Sequence, residues 1–295
     1  MATLSQWVAG ARPRTLPVAV SPVAIGTGAA YAAQGRVTWG YALLALVISL
    51  SLQVGVNYAN DYSDGIRGTD EERTGPVRLV GQGIANPDNV KLAAMASFFM
   101  AGLCGLGLVA LSQAWWLLPL GIASIAAAWY YTGGSTPYGY RGLGEVFVFV
   151  FFGLVATLGT EYSQALRLTW AGLVGAVGAG ALAAAILVAN NLRDIPTDVV
   201  HGKQTLAVRL GDRRTRHLYL GLVLASALAV AGCAVFSRPA LLALAAYVLV
   251  EPSVRVIRSG ATGPALVPVL AGTGRFQLAW SLLLAFGIGA AVLSP

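Results

Sequence analysis

Asn190-Asn191-Leu192-Arg193-Asp194-Ile195-Pro196-Thr197-Asp198-Val199-Val200-His201-Gly202-Lys203 is the densest run of polar chemistry in an otherwise apolar chain. Asp194 and Asp198 are four residues apart. On a continuous helix their carboxylates share one face about a turn from each other, close enough to share a cation. Pro196 between them leaves that continuity open. The preceding segment, 174–188, is almost wholly Ala, Leu, Val and Gly, the composition of a membrane span that delivers the acids to a membrane surface. A second stretch matches it. Asn57-x-x-x-Asp61-x-x-Asp64 also ends an apolar run, and Asn57 to Asp61 repeats the spacing of Asn190 to Asp194. Two oxygen-rich clusters at the ends of two spans point to one shared site.

The whole chain supports a membrane reading. Of its 295 residues 57% are hydrophobic and 11% charged, far from a soluble domain of ordinary composition. Stretches apolar enough to cross about 30 Å of hydrocarbon fall at roughly 15–33, 40–59, 91–112, 114–131, 146–160, 170–189, 217–236, 239–254 and 274–294. The expected fold is therefore an all-α integral membrane bundle of nine transmembrane helices around a central cavity. It forms a single domain over 1–295, with a weak internal repeat whose halves are about 1–135 and 136–295. The 36 glycines allow close helix packing in lipid.

Lys and Arg decide the orientation. With the N-terminus inside, only Arg36, Arg167 and Arg238 of the 19 Lys and Arg fall outside. The N-terminus is then cytoplasmic, the C-terminus outside, and both Asp clusters lie on the cytoplasmic side of a multi-pass protein of the cell (inner) membrane. The net charge of +7 follows from this bias, and no aromatic-basic module calls for nucleic acid. Cys104 and Cys233 lie in apolar spans and offer neither disulfide nor metal spacing.

Acids at a membrane boundary need compensation. Carboxylate and amide oxygens suit Mg²⁺, which takes one or two carboxylates with water and phosphate, and the scarcity of His and Cys disfavours Zn, Fe or Cu. A competing reading has the acids neutralised by Arg193 and Arg67. Lys203 and the nearby arginines favour a diphosphate held through the metal, with its apolar tail between the helices. The long loop 65–90 carries Arg67, Arg73 and Arg78 among glycines, able to wrap a phosphate, although Asp70, Glu71 and Glu72 also fit a self-paired surface. Four tyrosines, Tyr130, Tyr131, Tyr138 and Tyr140, fit either an interfacial belt or the wall of a pocket. Glu145 fits a helix N-terminal acid, and Glu251 a partner for Arg255.

Taken together, Arg12-Pro-x-Thr15, Asn60-Asp61-x-x-Asp64 and Asn191-x-x-Asp194-x-x-x-Asp198 with Lys203 resemble the UbiA superfamily of intramembrane prenyltransferases over nearly the whole chain. Three further segments are similar to the 1,4-dihydroxy-2-naphthoate prenyltransferases of menaquinone synthesis: Asp64-Gly-x-Arg67 to Arg78, Tyr131-Thr-Gly-Gly to Glu145, and Gly202-Lys203 to Arg209-Leu-Gly. The superfamily often has a third Asp four residues after the first motif, where this chain has Gly68, with Asp70 the nearest acid. The resemblance implies two or more Mg²⁺ held with a polyprenyl diphosphate by Asp61, Asp64, Asp194 and Asp198. Asn57, Asn60, Asn190 and Asn191 would be auxiliary oxygen donors. Lys203, Arg67 and Arg78 would hold diphosphate oxygens, Tyr131 would face the reacting allylic end, and Arg12 would contact the diphosphate or the naphthoate carboxylate. The implied reaction is prenylation of 1,4-dihydroxy-2-naphthoate with loss of CO₂. Other aromatic acceptors such as 4-hydroxybenzoate, a CDP-alcohol phosphotransferase and a cation-coupled transporter are the alternatives; the transporter would place its acids at mid-membrane.

Overall fold

In lipid a backbone must satisfy its own hydrogen bonds, and the apolar runs accordingly coil into helices. The computed structural model describes residues 2–68 and 77–293, and among these no strand occurs. Arg73 and the acids at 70–72 lie outside the described residues. α1 (Leu4–Gly10) starts on a Thr3–Gln6 capping box. Arg12, at φ 55°, turns the chain into a short 3₁₀ turn. α2 (Pro17–Gln34) then leaves at 51° to the N-terminal segment and runs on through Pro22. The bend therefore lies before Pro17, where a missing N–H costs a helix nothing.

α3 (Trp39–Ile66) carries the first motif near its C-terminal end. α4 (Pro87–Ser112), capped by Asn86, packs along it, and α5 (Leu117–Tyr130) follows. α6 (Gly144–Ala165) includes a π-helical segment, Phe149–Val155, an irregularity frequent at functional sites. α7 (Trp170–Val200), capped by Thr169, carries the second motif and is continuous through Pro196. α8 (Leu206–Ala234) is kinked at Gly211, where φ is 73° and ψ 170°. α9 (Arg238–Leu249, 3₁₀) and α10 (Glu251–Arg258) meet at 50°, and α11 (Val267–Gly289) closes the bundle. Glu251 pairs with Arg255 at 2.6 Å, as expected.

Among the described residues, six helices are long and apolar enough to cross a membrane, or up to eight if each bent pair is one span. α5, at 14 residues, reaches only about 21 Å at 1.5 Å per residue. α7 is the axis of the molecule: 78% of its most apolar window is buried, against 44% or less for the other single spans. Its neighbours come close because glycines face them. A side chain on Gly28 of α2 would run into the Ala285 carbonyl of α11, and one on Gly153 of α6 into Gly180 of α7. Gly28→Val is expected to destabilise the fold by about 3 kcal/mol through overpacking, read as a lower thermal midpoint in detergent.

Candidate active site

The ends of α3 and α7 meet at one mouth. Gly202, at φ 69°, ends α7 in a left-handed cap, and the Lys203 N–H donates back to the Asp198 carbonyl at 2.9 Å. That turn aims the Lys203 side chain at the first motif. Its ammonium lies 3.2 Å from Asp64 Oδ1 and 4.5 Å from the centre of the Tyr140 ring. The Tyr140 hydroxyl donates to the same Asp64 oxygen. Lys203 and Asp64 are both buried, so the pair offsets part of the cost of taking each charge out of water. Burial, and then the Asp64 charge, push the Tyr140 hydroxyl well above the usual tyrosine range, keeping it a neutral donor.

The remaining expected residues divide by partner. In α3, Asn60 accepts from the Thr132 hydroxyl at 2.8 Å. Asn57 donates to the Ala11 carbonyl and to Thr15, tying α3 to the N-terminal turn that presents Arg12. Both oxygens of Asp61 accept backbone N–H groups, from Leu79 at 2.7 Å and Val80 at 3.1 Å. In α7, Asp194 forms a two-pronged pair with Arg193 at 2.7 and 2.8 Å, and Arg193 also reaches Asn190 at 2.9 Å. Asn191 donates to Glu145 at 2.9 Å, and Asp198 accepts from Thr205 at 3.4 Å. The pairing of Arg193 with Asp194 fits half of the neutralisation reading. Arg67 does not supply the other half: its terminal nitrogens grip the carbonyls of Thr132 and Gly134 at 2.5 Å, so it braces the tyrosine loop. Arg78 is buried, and its charge acts on Asp61 together with that of Arg12.

Behind the mouth lies a cavity of about 500 Å³. Arg12, Asn57, Asn60 and Asn190 line it towards the motifs, Tyr131, Phe147 and Phe151 flank it, and it follows α3 back to Ala45. From Asn60 to Ala45 is roughly 22 Å of helix at 1.5 Å per residue, walled mostly by aliphatic side chains. The tyrosines separate by role. Tyr131 and Tyr138 line the cavity with rings edge to face at 5.5 Å, Tyr140 serves the Asp64–Lys203 pair, and Tyr130 is exposed. Tyr140, Thr132 and Glu145 are the contacts that reading motifs alone did not single out.

Among the described residues, no three His, Cys, Asp or Glu stand close enough to hold a metal by themselves. The donors nonetheless suit a hard cation that brings its own phosphate ligands: buried carboxylates with amide oxygens near them.

The sequence of the UbiA prenyltransferase family matches residues 19–265. Among curated proteins, the 1,4-dihydroxy-2-naphthoate octaprenyltransferase of Mycobacterium tuberculosis is 55% identical, covering 100% of both chains. That of Escherichia coli is 39% identical over 96% of this chain and 94% of its own. Among solved structures, a UbiA homolog from Archaeoglobus fulgidus bound to DMAPP and Mg²⁺ shares the fold at a TM-score of 0.68 and 15% identity, covering 98% of this chain and 100% of that one. With the family matched over most of the chain and both motifs meeting at one cavity mouth, this chain belongs to the UbiA prenyltransferase family and is a prenyltransferase.

Proposed function

We propose that this protein transfers a polyprenyl group from polyprenyl diphosphate to 1,4-dihydroxy-2-naphthoate, with loss of the carboxylate as CO₂ and release of diphosphate, to give demethylmenaquinol, the reduced form of demethylmenaquinone. The observation that carries the reading is the junction of Asp64, Lys203 and Tyr140, one turn of α3 beyond Asn60, which lines a long apolar cavity together with Asn190. End-to-end identity to proteins named for that naphthoate supports the acceptor. The protein is read as a single membrane domain with nine crossings of the cell membrane, α5 being the shortest. The N-terminus and the site face the cytoplasm and the C-terminus lies outside, which rests on the distribution of Lys and Arg.

Asp64, Asp194 and Asp198 would hold the Mg²⁺ ions, two or more, with Asn60, Asn190 and Asn191 as auxiliary donors. Bound there, Mg²⁺ neutralises charge on the diphosphate and makes it a better leaving group. Lys203, Arg78 and Arg12 grip diphosphate oxygens. Tyr131 presents its ring to the allylic carbon, where positive charge develops as the C–O bond lengthens. The aliphatic walls keep out the water that would quench it. The ring carbon bearing the carboxylate forms the new bond, and CO₂ departs with the electron pair returned to the ring.

The purified protein, given Mg²⁺, a polyprenyl diphosphate and either 1,4-dihydroxy-2-naphthoate or 4-hydroxybenzoate, is expected to yield only the prenylated naphthoquinol lacking the carboxylate, by mass. Product from 4-hydroxybenzoate alone would keep the donor site and overturn the acceptor.

A further inference from the structure

We infer that Asp61 is a positioning residue rather than a metal ligand: its carboxylate seats the loop 77–85 on α3 and so sets the position of Arg78. The inference rests on the proposed role of Arg78 as a diphosphate contact. Four contacts converge on that seat. Asp61 accepts the N–H groups of Leu79 and Val80. One turn on, Gly65 leaves the space that Val80 fills, since a side chain there would run into Val80. Leu79 is fully buried against Gly10 and Tyr58. The loop closes on itself through Ala85 N–H to the Leu79 carbonyl at 2.8 Å. Arg78 is the residue immediately before this double anchor, buried and close enough for its charge to act on Asp61.

The contrast with Asp194 decides which acids are available to a cation. Asp194 is held by the side chain of Arg193, which also reaches Asn190, so these partners are side chains rather than backbone fixed in a loop. If Asp61 turned away from the loop to face a metal, the buried Leu79 N–H would lose its acceptor and bear its desolvation cost, and the half-buried Val80 N–H would lose its acceptor as well. Asp61 therefore stays with the loop while Asp64, three residues on, faces Lys203 and the second motif.

Hydrogen exchange of the intact protein in detergent tests this without turnover, and so independently of the substrate reading. The amides of Leu79 and Val80 are expected to exchange slowly, and equally slowly after addition of Mg²⁺ with inorganic diphosphate. Asp61→Asn is expected to speed their exchange at least about tenfold and to raise KM for the polyprenyl diphosphate about tenfold. The half-saturating Mg²⁺ concentration and kcat stay near wild type. Fast exchange in the resting protein, or loss of protection when Mg²⁺ and diphosphate bind, would overturn the anchor. So would an Asp61→Asn protein that keeps both amides protected while needing more Mg²⁺. The wild-type measurement stands even if the variant does not fold.

Discussion

Asp64→Asn is expected to lower turnover by about 10²–10³-fold, the cost of removing one preorganised charge contact at a reacting centre. Asp64 is the acid at which the two motifs touch, accepting from Tyr140 of the tyrosine loop and from Lys203 beyond α7. Asparagine keeps the size and can still accept from Tyr140. It removes the charge that balances Lys203 and that would bind the cation. The thermal midpoint should fall as well, because a buried ammonium is left with the Tyr140 ring as its remaining compensation. Turnover should therefore be measured per folded protein and against Mg²⁺ concentration. Loss of activity that added Mg²⁺ does not restore is the expected result; near-normal kcat with a normal Mg²⁺ requirement would remove Asp64 from the metal set.

Lys203→Met is expected to raise KM for the polyprenyl diphosphate by about 10–100-fold, since a charge-assisted hydrogen bond is worth about 1.5–3 kcal/mol. Methionine keeps about the length of the side chain and removes the ammonium with its contacts to Asp64 and the Tyr140 ring. The same substitution takes the ammonium away from the buried Asp64. Combined with Asp64→Asn, it should cost less stability than the two single changes add up to, because each single variant strands the other's charge. Additive stability losses would mean that the 3.2 Å pair carries no coupling, and an unchanged KM would place the diphosphate elsewhere.

Hydropathy shows the helices because length and apolarity are what lipid requires of a span, and within the described residues each stretch marked in the sequence is mostly helical. It does not show how a span is built. The bend before Pro17, the π segment of α6 and the 3₁₀ course of α9 depend on which neighbours supply contacts along the helix. Pro196 left two outcomes open, and the continuous α7 follows from burial among neighbouring helices, which can re-satisfy a freed carbonyl. That continuity keeps Asp194 and Asp198 on a single helix.

The motifs were legible to a similar depth. Asn57 and Asp61 share the spacing of Asn190 and Asp194, but so do Asn60 and Asp64, and spacing alone cannot choose between registers. In the folded chain the first pair faces the N-terminal turn and the loop 77–85, whereas Asn60 and Asp64 face Thr132, Tyr140 and Lys203. Backbone donors have no letter in a sequence, which is why the partners of Asp61 could not be read. Among the four tyrosines, composition allowed belt or wall. The two positive-φ glycines of their loop, Gly134 and Gly142, permit a path that sends Tyr131 and Tyr138 inward and leaves Tyr130 outside.

The central claim is that the two Asp motifs form one Mg²⁺-dependent site for prenyl transfer to the naphthoate. The most direct test is a single turnover by the purified protein with polyprenyl diphosphate and carboxyl-labelled 1,4-dihydroxy-2-naphthoate, with Mg²⁺ or with excess chelator. Equal amounts of prenylated product and labelled CO₂ with Mg²⁺, and neither with chelator, is the result predicted. Product that forms at the same rate in chelator, or prenylation that retains the labelled carboxylate, would contradict it.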